Sequence, residues 1–421
     1  MSAGRVNTLV VTENGTVLDG RLAQAGLPAA VEFHAAAMSE YGVGYALSTE
    51  GVAWMWGLDS CGVLGPSRVP WIASEYYVPV AVAQRVVQIG FGRVHVVMLQ
   101  DDGRVLTSGY NDGRRHFGCT GRPGEAPNVL APITDAAFVA NPAVFVAAGR
   151  HTTGAIDSKG AVWMMGTGHD GVLGLGDTAD RCTPARLAAF GVSKTVQLAM
   201  AGHTVAVGEN GEVFAWGANA DGQLGLGDFG SRLVPQQLSC PSANTATCSN
   251  SHTMILTKRG EVFTCGHNRF GVLGLGEEEP EYTRHSRRSA TLTLVAGLPR
   301  VACISADAFS VTAVAPDGRL FTWGLSAGSG DTPDVWPGYT YAPTECRQSP
   351  VLQQLGARAG LYGHGLAEAS AIAFAMLAHP RLGARSPWRG LHKELMPLVN
   401  LASVRLPRRE TAQSVRARSV V

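Results

Sequence analysis

His203-Thr-Val-Ala-Val-Gly-Glu-Asn-Gly211-Glu-Val-Phe-Ala-Trp-Gly217 runs directly into Ala-Asn-Ala-Asp-Gly222-Gln-Leu-Gly225-Leu-Gly-Asp228. The first part reads as a β-hairpin. Two short runs rich in Val, Thr, Phe and Trp flank Asn210-Gly211, a pair suited to a tight turn with positive φ at both positions. The second part is a glycine-rich bend. Its glycines reach backbone angles that side chains resist, and its leucines can tuck under a neighbouring unit.

The rest of the chain repeats this template. Gly160-Ala-Val-Trp-Met-Met-Gly166 precedes Gly171-Val-Leu-Gly-Leu-Gly-Asp177, and Gly260-Glu-Val-Phe-Thr-Cys-Gly266 precedes Gly271-Val-Leu-Gly-Leu-Gly-Glu277. Gly51-Val-Ala-Trp-Met-Trp-Gly57 leads to Leu64-Gly65, and Gly103-Arg-Val-Leu-Thr-Ser-Gly109 leads to Phe117-Gly118. Gly318-Arg-Leu-Phe-Thr-Trp-Gly324 lacks the second half, and Gly15-Thr-Val-Leu-Asp-Gly20 is a faint seventh copy. The first glycines lie 36, 52, 57, 51, 49 and 58 residues apart. A period near fifty with turn-rich β content indicates a propeller, solenoid or array. Each small sheet cannot bury both faces alone, and ring closure solves that while leaving only short edges. The 421 residues fit one closed ring of seven units better than several independent domains.

The pattern Gly-x-Val-x-x-Trp-Gly followed by Gly-Gln-Leu-Gly-Leu-Gly-Asp and a proline resembles the repeat of the regulator of chromosome condensation family over about residues 7–380. The match is most specific at Gly160, Gly211 and Gly260. The resemblance implies an all-β, seven-bladed β-propeller over 1–380, with degenerate first, second and last blades. It also implies that an N-terminal strand within 7–18 closes the ring against a last strand near 369–377. Pro79, Pro184 and Pro235 stand where the family places the strand that leads into the next blade. Kelch propellers share the period, but their double glycine with a following Tyr and Trp pair is missing.

Outside the repeats, three connections and one tail stand out. Residues 110–125 form an expanded basic, glycine-rich connection carrying Arg114, Arg115 and His116; insertion and functional loop are both open readings. Residues 277–288 set an acidic run, with Glu278 and Glu279, beside Arg284, Arg287 and Arg288. That stretch reads either as solvated loop or as a charged docking ridge. Residues 326–348 form a third irregular stretch in place of the bend of the sixth copy. Residues 381–421 hold nine Arg or Lys against two Glu, +7 in a chain whose net charge is +1, so the remainder stands at −6. This short basic tail is expected to be partly helical near 391–405, although Pro397 interrupts the helical spacing. Arg405, Arg408, Arg409, Arg416 and Arg418 make it a candidate nucleic-acid or nuclear-import segment, against the plainer reading of a solubilising tail. Leu391, Glu394 and Leu395 give only a fragmentary likeness to the opening helix of an F-box.

The first forty residues show no basic start followed by an apolar core, so the expected setting is cytoplasmic or nuclear, with no membrane span. The eight cysteines lack Cys-x-x-Cys spacing, which argues against a zinc cluster and for reduced thiols. No Walker loop, Gly-x-Ser-x-Gly elbow or His-Glu-x-x-His occurs, and the repeated glycines follow hairpins and precede no helix. No catalytic residue, metal or cofactor is therefore expected. His95, His151, His203 and His252 fall eight or nine residues before their turn glycines and read as one repeated structural position. Their ring nitrogens are expected to satisfy backbone groups of the adjacent strand. Trp54, Trp56, Trp163, Trp216 and Trp323 read as blade packing. Some members of the family sense ultraviolet light through clustered tryptophans, but the Gly-Trp-Arg-His-Thr run of that subgroup is absent.

Two functional classes remain. One is a protein-binding scaffold that works through its rim loops. The other, implied by the resemblance alone, is guanine-nucleotide exchange on a small Ran-like GTPase, with loops 110–125 and 277–288 as the pushing elements. Exchange requires a loop that favours the nucleotide-free state.

Overall fold

The computed structural model describes residues 9–11, 17–19, 31, 33–38, 43–57, 80–109, 119–123, 129–276, 288–306, 310–317, 319–325 and 339–345. They form six four-stranded antiparallel sheets and one two-stranded sheet, each built from strands consecutive in sequence. The sheets are called blades A to F, beginning at Phe33, Val86, Ala143, Thr195, Ala243 and Cys303. Blade D holds the template repeat. Its strands are Thr195–Met200, His203–Gly208, Val213–Gly217 and Arg232–Gln237. Only one α-helix, Ala136–Val139, occurs among the described residues; Asp135 caps it by accepting from the Phe138 N–H at 3.0 Å.

The second strands of blades C, D and E are buried at every position. A strand covered on both faces reads as a nearly continuous run of apolar and small residues, without alternation. What covers it is the next blade. One apolar cluster joins Ile156 and Met164 of blade C to Leu198, Phe214 and Trp216 of blade D. Another joins Val205 and Leu224 of blade D to Ala246 and Ile255 of blade E. Comparable clusters join A to B, B to C and E to F. The core therefore lies between blades, which is why no single repeat could stand alone. The fourth strands of C and D end their sheets and carry Pro184 and Pro235. Proline is tolerated there because an edge strand has no outer partner for the missing N–H.

The hairpin turn differs from the sequence expectation. Gly211 has φ +93°, but Asn210 is not in the positive-φ region. The Gly211 N–H donates to the Gly208 carbonyl at 2.9 Å, and the Gly208 N–H donates to the Glu212 carbonyl at 2.8 Å. This is a longer hairpin loop closed by one glycine bulge, and it needs a single left-handed residue. Blades C and E repeat the bond pair with Gly160 on Asp157 and Gly260 on Thr257. A second correction concerns blade F. The stretch 326–348 is not irregular throughout, because Tyr339–Glu345 is a fourth strand paired to Leu320–Leu325.

The N-terminal hairpin is present as Leu9–Val11 against Val17–Asp19, with Val10 opposite Leu18. Its first strand lies beside Phe33–Met38 of blade A. The expected closing strand near 369–377 and the basic tail lie outside the described residues. No helix among the described residues is long and apolar enough to cross a membrane.

Candidate partner-binding surface

The loops that face outward are held by a clasp repeated from blade to blade. In blade C the bend after the third strand places its Val172 carbonyl under blade D. There it accepts from the Trp216 indole N–H at 2.9 Å and from the Thr204 hydroxyl at 3.0 Å. The Gly176 N–H then donates to the Leu233 carbonyl on the fourth strand of blade D at 2.9 Å. The D bend does the same to blade E: its Gln223 carbonyl accepts from the Thr253 hydroxyl at 2.7 Å, and the Gly227 N–H donates to the Ala290 carbonyl. The E bend reaches blade F through Val272, which accepts from the Trp323 indole, and through Gly276, which donates to Tyr341. Leu173, Leu224 and Leu273 are buried beneath these bends, under the neighbouring blade.

The clasp also explains the 110–125 connection, of which residues 119–123 are described. The Cys119 carbonyl accepts from the Thr153 hydroxyl of blade C at 2.6 Å, as Val172 and Gln223 do one and two blades on. Gly121 lies against the Met165 sulfur, as Gly174 lies against Trp216. That part of the connection is the repeat's own bend and not an insertion. Arg122 follows it, buried, donating to the Thr107 hydroxyl and to the Thr107 and Val129 carbonyls.

Two glutamines that the sequence reading passed over add a second fastening. The Gln197 side chain donates to the Ala246 carbonyl at 3.1 Å and accepts from the Ala246 N–H at 3.0 Å. A side-chain amide thus imitates a β-ladder between the first strands of D and E. Gln88 does the same with Val146 between B and C. Only the repeated Val-x-Gln spelling at 86–88 and 195–197, the latter with Thr in first place, hinted at it.

The histidines require two corrections. His95, His203 and His252 each open a second strand, opposite Gly109, Gly217 and Gly266. In blade C that position is Thr152, opposite Gly166, so His151 stands one residue ahead of the repeat. Hydroxyls, which the sequence reading did not foresee, are partners of the three that open strands, and His95 also meets the Thr152 backbone of the next blade. His95 Nε2 lies 2.8 Å from Thr153 Oγ1, and His203 Nε2 lies 2.6 Å from Thr253 Oγ1, each on the next blade. Each threonine hydroxyl donates its proton to a bend carbonyl, so the imidazole Nε2–H is the donor in the pair. Blade F has Val311 at the matching position, and His252 turns its Nδ1 to Ser249 Oγ at 2.7 Å instead. Burial pushes His95 and His203 down to about 3 and His252 to about 4, so all three are uncharged at neutral pH. Among the described residues, no group of three or more His, Cys, Asp or Glu is placed to hold a metal ion.

Beyond the clasps, the loop ends are open to solvent. Residues 176–180 and 227–231 are exposed. Phe229, Leu233 and Val234 are exposed apolar residues in and just after the outer end of the D loop. Arg181 holds Asp177 at 2.7 Å, and Arg232 holds Asp228 in the matching pair. These guanidinium contacts keep both carboxyls below the usual carboxylate range. Arg288 is turned toward its own molecule: it reaches Asp221 Oδ1 at 3.2 Å and donates to the Ala220 carbonyl at 3.0 Å, bracing the D bend. Arg114, Arg115, His116, Glu278, Glu279, Arg284, Arg287 and the tail arginines lie outside the described residues, as does Gly318.

Comparison with known proteins agrees with this architecture. The regulator of chromosome condensation (RCC1) repeat matches residues 159–207 and 210–256, and a second form of the same repeat matches 246–272. The ultraviolet-B receptor UVR8 of Arabidopsis thaliana is 30% identical over 195 residues, covering 46% of this chain and 43% of that protein. The X-linked retinitis pigmentosa GTPase regulator of Canis lupus familiaris is 33% identical over 132 residues, 31% of this chain and 13% of that protein. The chain thus spans less than half the length of either relative. The crystal structure of human WBSCR16 superposes with a TM-score of 0.61 at 25% identity, covering 79% of this chain and 84% of that one. Repeat spelling, blade geometry and these matches agree: the chain carries regulator of chromosome condensation repeats within 159–272, in an all-β fold of four-stranded sheets that resembles β-propellers of that type.

Proposed function

We propose that this chain is a protein-interaction scaffold that binds its partners through the loops between third and fourth strands. The observation that carries this reading is the division of labour in those loops. Their inner halves are fastened to the next blade through Val172, Gln223 and Val272, while their outer ends at 176–180 and 227–231 are exposed. A rigid base with exposed side chains loses little conformational entropy on binding. We take the ring to have seven blades, with the N-terminal hairpin as the middle of the seventh; its place beside blade A supports this.

A second reading, guanine-nucleotide exchange on a small GTPase, is favoured by the likeness to a relative named as a GTPase regulator. The two readings separate experimentally. Partners captured by the intact protein are compared in GDP, in GTP and without nucleotide. A scaffold captures the same set in all three, and Phe229→Ser weakens capture without lowering the melting temperature. Capture confined to the nucleotide-free state of a GTPase would overturn the scaffold reading.

A further inference from the structure

The opposite ends of the blades carry the hairpin turns, and their charges are unevenly matched. At blade B, Arg85 pairs with Asp101 at 2.6 Å and with Asp102 at 3.3 Å, and Arg104 reaches Asp102. At blade F, Arg319 pairs with Asp317 at 2.8 Å. Between them, across the turns of C, D and E, lie Lys159, Lys194, Lys258, Arg259 and Arg300, and none of the five forms an ion pair among the described residues.

These five side chains are contiguous. The Lys194 stem covers Gly160, next to Lys159. The Lys194 carbonyl accepts from the Glu209 N–H, and Lys258 Nζ donates to the Glu209 carbonyl at 3.3 Å. Arg300 Nε donates to the Arg259 carbonyl at 3.0 Å. Lys159, Lys258, Arg259 and Arg300 are exposed. Four carboxylates lie on the same turns, Asp157, Glu209, Glu212 and Glu261: Asp157 accepts from the Trp163 indole, Glu212 from Ser193 and Asn210, and Glu261 from Thr257.

We propose that this arc is a docking site for an acidic segment of a partner protein. The inference rests on the scaffold reading and adds a second face to it. The five cations lack an ion-pair partner among the described residues, and an acidic partner supplies one while gaining rate and orientation. A protein segment fits better than nucleic acid. Asp157, Glu209, Glu212 and Glu261 interrupt the arc, so it suits a segment whose carboxylates are spaced to reach the cations better than the unbroken charge of a polyphosphate backbone.

The test uses the full chain and a fluorescein-labelled peptide of alternating Glu and Gly, with its Gln counterpart as control, read by anisotropy. The expected result is binding of the Glu peptide over the Gln peptide, weakened by salt. The triple variant Lys159→Glu, Lys258→Glu, Arg259→Glu loses at least about tenfold in affinity, as expected when close charge pairs are reversed. Its melting temperature is unchanged, and the exposed Arg150→Glu control, at the opposite end of blade C, binds as wild type. Lys159→Gln with Lys258→Gln gives a smaller loss in the same direction, should the reversal variant fold poorly. Equal binding of both peptides, an unaffected triple variant, or preferential binding of single-stranded DNA would overturn the proposal. If the arc fails while the intact protein still captures partners, the scaffold reading stands; if nothing is captured, that reading falls by itself.

Discussion

At the scale of single residues, the buried histidines tie the fold to pH. The folded-state values of His95, His203 and His252, about 3, 3 and 4, lie below that of a free imidazole, about 6.5. The unfolded chain therefore takes up these protons first. The stability contributed by neutral burial is complete above about 6.5 and is lost as pH falls toward the folded values. The melting temperature is expected to drop between pH 7 and pH 5, and to drop less in His203→Gln, which cannot titrate. Equal slopes for variant and wild type would show that His203 is not the coupled group. The role of the histidines as buried repeat residues was readable from their spacing, but their partners were not. Those partners are Thr153 and Thr253, 58 and 50 residues away, and a hydroxyl one place after a strand start carries no local signal of which blade it faces.

At the scale of the element, the hairpin and the bend were legible because glycine at fixed spacing marks backbone angles that other residues avoid. The turn type was misread because Asn210-Gly211 is also the spelling of a shorter loop; the carbonyl of Gly208 and the N–H of Glu212 decide the matter, and neither has a side-chain signature. The bend of blade B was hidden because Cys119, Thr120 and Arg122 replace the usual apolar residues while Gly121 alone keeps the geometry. Two glycines of the D bend separate backbone strain from close packing. Gly222 has φ +79°, and a Cβ there would lie 2.7 Å from the Ala290 Cα. Gly227 has φ +88° and nothing within 4 Å. Gly227→Ala is expected to cost about 1 kcal/mol from the left-handed backbone alone. Gly222→Ala adds displacement of the neighbouring blade and is expected to cost roughly 2–4 kcal/mol. Denaturant midpoints check the order, and equal losses would mean that the bend does not press on blade E.

At the scale of the whole molecule, the apolar clusters between blades, the bends of B to E and the glutamine and histidine contacts of B and D all reach the next blade. Stability is therefore expected to be shared around the described arc, with blade interiors contributing little separately. The fourth strands of C and D, which end their sheets, escape edge-to-edge pairing through Pro184 and Pro235. The period near fifty made this architecture readable in outline. The charge arc on the turns was not readable, because its five cations come from turns and blade entries spread over 159–300 and meet only when blades C to F stand side by side. In the proposed scaffold role, the propeller is a rigid platform that holds partners without changing the nucleotide state of a GTPase. The most direct test is release of a fluorescent guanine nucleotide from a panel of small GTPases, Ran-like ones included, with and without the folded protein. The account predicts an unchanged release rate across the panel; acceleration by orders of magnitude for any one of them would contradict it, because only a loop that prefers the nucleotide-free state can produce that shift.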